Sequence, residues 1–198
     1  MSDTGLATPP RLGAGFFERS VHEVASDVIG CELRFRGAGG IIVEAESYER
    51  DDPACHAYVG LTPRTEVLFG PPGRAYVYLS YGIHSLLNFV AEPDGSAAAV
   101  LIRALEPRWD IDGMRRRRGR NDARALCSGP GKLTEALGLG LECNGARLDR
   151  EPFELRARAG PWRDVQIASG PRVGITKAVE RPWRFCAAGS AYLSRPAL

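Results

Sequence analysis

The sequence predicts an α+β fold, one domain in which a curved, mainly antiparallel sheet is packed by helices. Three observations point there. β-type runs follow one another through the first half as hairpin-linked pairs and do not alternate with helices. Helical periodicity is confined to a short segment near residue 20 and to the chain beyond residue 107. At 198 residues, 44% of them hydrophobic, the chain can bury one substantial core but would be cramped as two.

Residues 1–10, with Thr8, Pro9 and Pro10 and no apolar period, read as a disordered leader to a single domain over 11–198. No apolar h-region makes it a targeting signal. Ser20 and Glu23 have capping-box spacing, and Val21, Val24, Ala25 and Val28 repeat helically up to Gly30, so a helix is expected over 20–29. Runs over 31–36 and 41–48 are β-type, and Gly37-Ala38-Gly39-Gly40 between them signals a hairpin. Asp52-Pro53 can start a short helix carrying His56. Residues 74–80, 82–91 and 97–105 read as three further strands, the last two joined through Asp94-Gly95. Helices are then expected through an arginine cluster and over 132–137, after Gly129-Pro130-Gly131. Short late strands follow over 153–158, 165–168 and 183–187.

Composition narrows the function. No run of eighteen apolar residues occurs, so no membrane span is expected. The five cysteines are widely spaced and form no Cys-x-x-Cys pair, which argues against a disulfide framework or zinc site and fits a reducing cytoplasm. Net charge is only +2, yet Arg115, Arg116, Arg117, Arg118, Arg120 and Arg124 fall within ten residues. On one face they would hold several phosphates; otherwise they are a solvated basic loop.

Period-two alternation puts Glu44, Glu46 and Tyr48 on one strand face. Strands disfavour Glu, and like charges on one face repel. Either the pair is a general acid or base held by the sheet, or both acids stand in water. Tyr76 and Tyr78 share a face of the next strand and suit stacking against a planar base, or they simply pack a sheet. Tyr81, at a turn, could project as a wedge into a duplex. His56 has no second ligand beside it, so no metal site is suggested. Asn88, an amide in an apolar strand, needs partners. Arg103 in a hydrophobic strand requires a carboxylate, and Glu46 is the kind that would satisfy it. Cys127-Ser128-Gly129-Pro130-Gly131-Lys132-Leu133 lacks the upstream glycine and the hydroxyl of a phosphate loop, though a helix N-terminus there could grip one phosphate with Lys132 nearby.

Taken together, the chain resembles the alkyladenine DNA glycosylases, the mammalian type of 3-methyladenine DNA glycosylase. The markers span most of its length: Arg11-Leu12-Gly13, Phe16-Phe17, Val43-Glu44-Ala45-Glu46-Ser47-Tyr48, His56, Thr62-Pro63-Arg64-Thr65, the segment from Gly73 to Gly82, Asn88, the segment from Leu101 to Pro107, Cys127 to Leu133, and Arg172-Val173-Gly174. It departs from the mammalian pattern at Ser47, Thr65 and His84, in the spacing from Glu46 to His56, and in a shorter stretch after Val173.

The resemblance implies that Glu46 is the general base, with Arg103 and the Val173 carbonyl positioning water and Glu44 as supporting structure. Tyr48, His56 and Tyr78 would wall in a flipped base, Asn88 would crowd out normal guanine, and Tyr81 would intercalate. Arg115, Arg116, Arg117, Arg118 and Lys132 would lie near the DNA backbone. The implied partner is double-stranded DNA containing damaged purines, acted on by a monomer with no metal and no cofactor. The chemistry is an inverting N-glycosidic hydrolysis. A lyase step would need an amine, and neither of the two lysines lies on the carboxylate strand. Two other readings fit parts of the pattern: a damage sensor that binds without cleaving, and an RNA-binding domain related to the C-terminal domain of formyltransferases.

Overall fold

The structure is a computed structural model and describes residues 8–196. Its elements are α1 (Ala14–Phe17), α2 (Val21–Asp27), β1 (Glu32–Phe35), β2 (Ala38–Tyr48), β3 (Ala75–Ser80), β4 (His84–Ala91), β5 (Ala98–Trp109), α3 (Ile111–Arg118), α4 (Ala123–Leu126), α5 (Pro130–Leu137), β6 (Phe153–Arg156), β7 (Ile167–Gly170) and β8 (Arg184–Ala187). The strands form one antiparallel sheet in the order β3-β4-β5-β2-β1-β6. The long central strand β2 pairs with β5 along one edge; its other edge is shared between β1 at residues 38–41 and β8 at residues 44–46. The fold is the α+β sheet that the hairpin-linked runs predicted.

The local corrections have physical causes. The first hairpin turns at Arg36 and Gly37, both at positive φ, while Gly39 and Gly40 lie inside β2. A Cβ on Gly39 would collide with the Leu33 carbonyl and one on Gly40 with the Glu106 carbonyl, so these glycines serve close strand approach. Ser20 precedes α2 without making a side-chain cap; the Val21 N–H is taken instead by Glu92, at 3.0 Å. Strand β5 runs four residues past its expected end, through Pro107. Pairing with β4 stops at Leu101, so no ladder bond is lost at the proline on that side. The connection between β4 and β5 is a longer loop than an Asp94-Gly95 turn, and residues 56–59 are a single 3-10 turn.

Residues 1–7 of the expected leader lie outside the described residues. Just after them, the carbonyls of Pro9 and Pro10 accept from Arg156 Nη1 (2.7 Å) and the Ala157 N–H (3.0 Å). The main core packs α2, α5 and one sheet face around Phe17, Phe35, Ile42, Phe89 and Leu105. A second, smaller cluster of Cys55, Leu68, Tyr76, Val90 and Ala99, with Tyr48 and Tyr78 against it, lies under the functional face. Both faces of β2 are therefore buried, which excludes the reading that its acids stand in water. Among the described residues no helix is long and apolar enough to cross a membrane.

Candidate active site

Strand β2 carries the carboxylates. Irregular register between β2 and β5 at Ile42–Ala45 brings Arg103 against both acids, which lie two residues apart on one face. Glu44 and Glu46 have no solvent exposure. Arg103 Nε donates to Glu44 Oε1 at 2.8 Å and its Nη1 to Glu46 Oε2 at 3.2 Å. The expected Arg103–Glu46 pair is present, but Glu44 takes the shorter bond.

The two acids then diverge. Burial pushes the Glu44 carboxyl up, but Arg103, the Ser194 N–H and hydroxyl, and Arg184 outweigh it and hold the group below the ordinary carboxylate range. Arg184 Nε and Ser194 Oγ donate to Glu44 Oε1 at 2.8 and 2.7 Å. For Glu46, burial wins over Arg103, the Val173 N–H and the Tyr48 hydroxyl, and its carboxyl is raised. Oε1 accepts from the Val173 N–H at 2.7 Å, while Oε2 accepts from Tyr48 Oη at 2.9 Å as well as from Arg103. The Val173 carbonyl, expected to help with water, accepts from Arg103 Nη1 at 3.4 Å.

A cavity of about 640 Å³ opens in front of these groups. Tyr48, Arg103 and Val173, the three donors to Glu46, line it, while Glu46 itself is buried and is held through them. The walls include Tyr78, His56 and Asn88. The Tyr78 and His56 rings meet edge-to-face at 4.5 Å. His56 Nδ1 lies 3.0 Å from Tyr76 Oη and its Nε2 3.4 Å from Arg64 Nη2, an arrangement in which Nε2 accepts and Nδ1 carries the proton. Burial and then Arg64 lower the imidazole to about 4, so His56 is neutral at physiological pH. Asn88, paired across the sheet with Tyr76, donates to the Tyr76 carbonyl at 3.1 Å. At the rim, the turn from Ser80 to Ile83 closes with an N–H···O bond of 3.1 Å and holds Tyr81 at φ 52°. Positive φ is unusual for a residue with a Cβ. Tyr81 is 92% exposed, between exposed Leu79 and Ile83.

The family model for methylpurine-DNA glycosylase matches residues 15–191. This chain belongs to the methylpurine-DNA glycosylase family. The resemblance read from the ordered motifs is thereby borne out, and the protein is a DNA glycosylase. A relative from Bradyrhizobium diazoefficiens is 57% identical over 99% of this chain and 98% of its own length. Relatives from Nitrosospira multiformis and Rhizobium meliloti are each 52% identical over 91% of this chain, covering 92% and 94% of their own lengths. All three bear the name "Putative 3-methyladenine DNA glycosylase".

In this glycosylase the predicted basic residues are not equivalent. Arg117 donates to the Ala136 carbonyl and to Asp110, tying α3 to α5, and Arg118 donates to the Leu126 carbonyl and to Glu135, tying α3 to both α4 and α5. Arg115 bonds Asp112 and the Asn121 carbonyl. Lys132 sits in the first turn of α5, whose Gly131 packs against His84 beside the Tyr81 turn, with Pro130 lining the cavity.

Three supporting elements escaped the sequence reading. Arg184 lies in an apolar run between Trp183 and Phe185, where, like Arg103, a buried guanidinium requires a carboxylate. Ser194 gave no signal, being a common residue in an irregular tail. The third is Asp52 with Arg172, a fully buried pair in which Arg172 Nη2 reaches Asp52 Oδ1 at 3.1 Å and Nη1 bonds the other oxygen. The Arg172 guanidinium also stacks on Tyr48 and Trp183, 4.6 and 5.0 Å from the ring centroids. Ser47, a departure from the mammalian pattern, is buried and bonded to His22 Nδ1 at 2.8 Å.

Proposed function

We propose that this glycosylase flips an alkylated or deaminated purine out of duplex DNA into the cavity and hydrolyses its N-glycosidic bond with a water activated by Glu46. What carries the reading is one buried carboxylate, raised in pKa, held by three donors that all line one aromatic cavity. A carboxylate has about four acceptor directions. Tyr48 and Arg103 use those of Oε2 and Val173 one of Oε1, leaving one on Oε1 for a water. A raised pKa strengthens the carboxylate as a base.

The flipped base would stack between Tyr48 on one side and Tyr78 with His56 on the other, beside Asn88. Tyr81 would fill the vacated stack. Lys132 and the arginines of α3 would meet the backbone, with Arg116 best placed, since Arg115, Arg117 and Arg118 each already bond a carboxylate and a carbonyl within the fold. A monomer suffices, and the cytoplasm is where such repair would take place.

The test compares wild type with Glu46→Gln for free-base release from alkylated duplex DNA and for binding to the same DNA. Loss of release with retained binding is expected. Binding by wild type without release of any damaged base would favour the damage-sensor reading.

A further inference from the structure

Thr62-Pro63-Arg64-Thr65 was conspicuous in the sequence, yet the hydrolytic mechanism leaves its arginine without a task. Arg64 borders the cavity. Its guanidinium lies 5.4 Å from the Tyr78 ring centroid and 3.4 Å from His56 Nε2. Among the described residues it has no carboxylate within salt-bridge distance.

The other charges of the site cancel. Glu44 and Glu46 face Arg103 and Arg184, and Asp52 faces Arg172. His56 is neutral. With Glu46 in the ionised form that the proposed hydrolysis requires, Arg64 is thus the unbalanced charge among the described residues of the cavity, beside the Tyr78 and His56 rings against which a base would stack.

From this placement we infer that Arg64 sets the response of the enzyme to the charge of the damaged base, by stabilising the electron density that the departing base gains. The inference rests on the proposed hydrolysis. In that step the bond between the base nitrogen and C1′ breaks and its electron pair leaves on the base. The water oxygen bonds to C1′, and its proton passes to Glu46. An N-alkylated cationic purine departs neutral; a neutral deaminated purine departs as an anion and is protonated from solvent. In both classes the charge on the base becomes more negative by one, so a fixed cation beside it favours departure equally. Binding differs: Arg64 repels the cationic base before reaction and leaves the neutral one unaffected. Arg64 therefore accelerates excision of neutral lesions overall, while for cationic lesions the gain in rate is offset by weaker capture.

The experiment measures single-turnover release at saturating enzyme, and the half-saturating enzyme concentration, on duplexes carrying 7-methylguanine (cationic) or hypoxanthine (neutral). Wild type, Arg64→Gln and Arg64→Lys are compared. Arg64→Gln should slow the saturated rate on both lesions by about threefold to tenfold, the range expected of one partly screened charge near the base. Half-saturation should tighten by a similar factor for 7-methylguanine and stay unchanged for hypoxanthine. Arg64→Lys should keep most of the wild-type preference. Equal weakening of binding to both lesions and to undamaged duplex would instead make Arg64 a phosphate contact and overturn the inference. So would an unchanged ratio of the half-saturating concentrations for the two lesions, or an unchanged saturated rate on both. Release of neither base by wild type would overturn the hydrolytic reading, and this inference with it.

Discussion

Replacing Asp52 by Asn should be among the most damaging single changes outside the reacting groups. Both side chains of the Asp52–Arg172 pair are fully buried. Asn keeps one neutral acceptor oxygen but no charge, so Arg172 is left with that amide and the carbonyls of Ser47 and Ala178, at 3.1 and 3.5 Å, and its buried Nε already lacks a partner. Breaking a buried ion pair from one side costs about 3–5 kcal/mol, because the remaining charge is stranded. For a domain of this size each kcal/mol moves the thermal midpoint by about 2–4 °C, so Asp52→Asn should melt about 6–20 °C below wild type. Arg172→Met should cost less, since Asp52 retains the Ala54 N–H at 3.0 Å and Arg181 stands 3.9 Å away. The double substitution should be less destabilising than the sum of the two. The site should respond too. Val173 follows Arg172 directly, and its N–H is one of the groups that lower the Glu46 pKa. Loosening that bond raises the carboxyl further, so the acidic limb of the rate profile should move to higher pH. The assays are thermal melts of the four proteins and base release against pH. A loss below about 1 kcal/mol for Asp52→Asn, together with additive effects, would refute the reasoning, since a buried pair cannot be broken so cheaply.

Two further outcomes follow from the same geometry. The Glu46 carboxyl is raised in the fold, so its ionisation opposes folding: wild type loses stability as pH rises from the ordinary carboxylate range through the raised value. Glu46→Gln should therefore match or exceed wild type in urea midpoint at pH 7, with the difference shrinking below about pH 4; a marked destabilisation at pH 7 would contradict the raised pKa. Tyr81→Gly relieves a positive φ at a 92% exposed residue, so its stability should stay within about 1 kcal/mol of wild type. Its single-turnover release should nevertheless fall roughly tenfold or more if the ring fills the vacated stack, and an unchanged rate would remove Tyr81 from the flipping step.

The parts of the site that were legible in the sequence are those in which a residue breaks a local rule. Two glutamates on one face of a strand and an arginine in an apolar run are costly wherever they are buried, and such costs direct attention to them. Tyr81 announced itself through the glycine that follows it in a turn. The fold class was legible for a similar reason, because hairpin-linked β runs leave few topologies. What escaped was long-range. Asp52 and Arg172 are 120 positions apart, and Ser194 reaches Glu44 across 150. Each is an unremarkable polar residue in a loop, and only the fold reveals the charge it meets. The arginine cluster shows the same limit: spacing along the chain could not tell that Arg117 and Arg118 also bond the carbonyls of Ala136 in α5 and Leu126 in α4.

The two acids of β2 also explain each other. An isolated buried carboxylate beside Arg103 would draw the whole guanidinium to itself and become a weak base. Glu44 prevents that by taking the shorter bond from Arg103, while its own negative charge adds to the forces that raise Glu46. Glu44 can do so because Arg184 and Ser194 compensate it from β8 and from the tail beyond it. The shared edge of β2, with β1 along one half and β8 along the other, is what brings Arg184 to that point. Sheet topology thus reaches the chemistry through charge balance: the strand that closes the second half of the β2 edge supplies the cation that balances Glu44 where it shares Arg103 with Glu46.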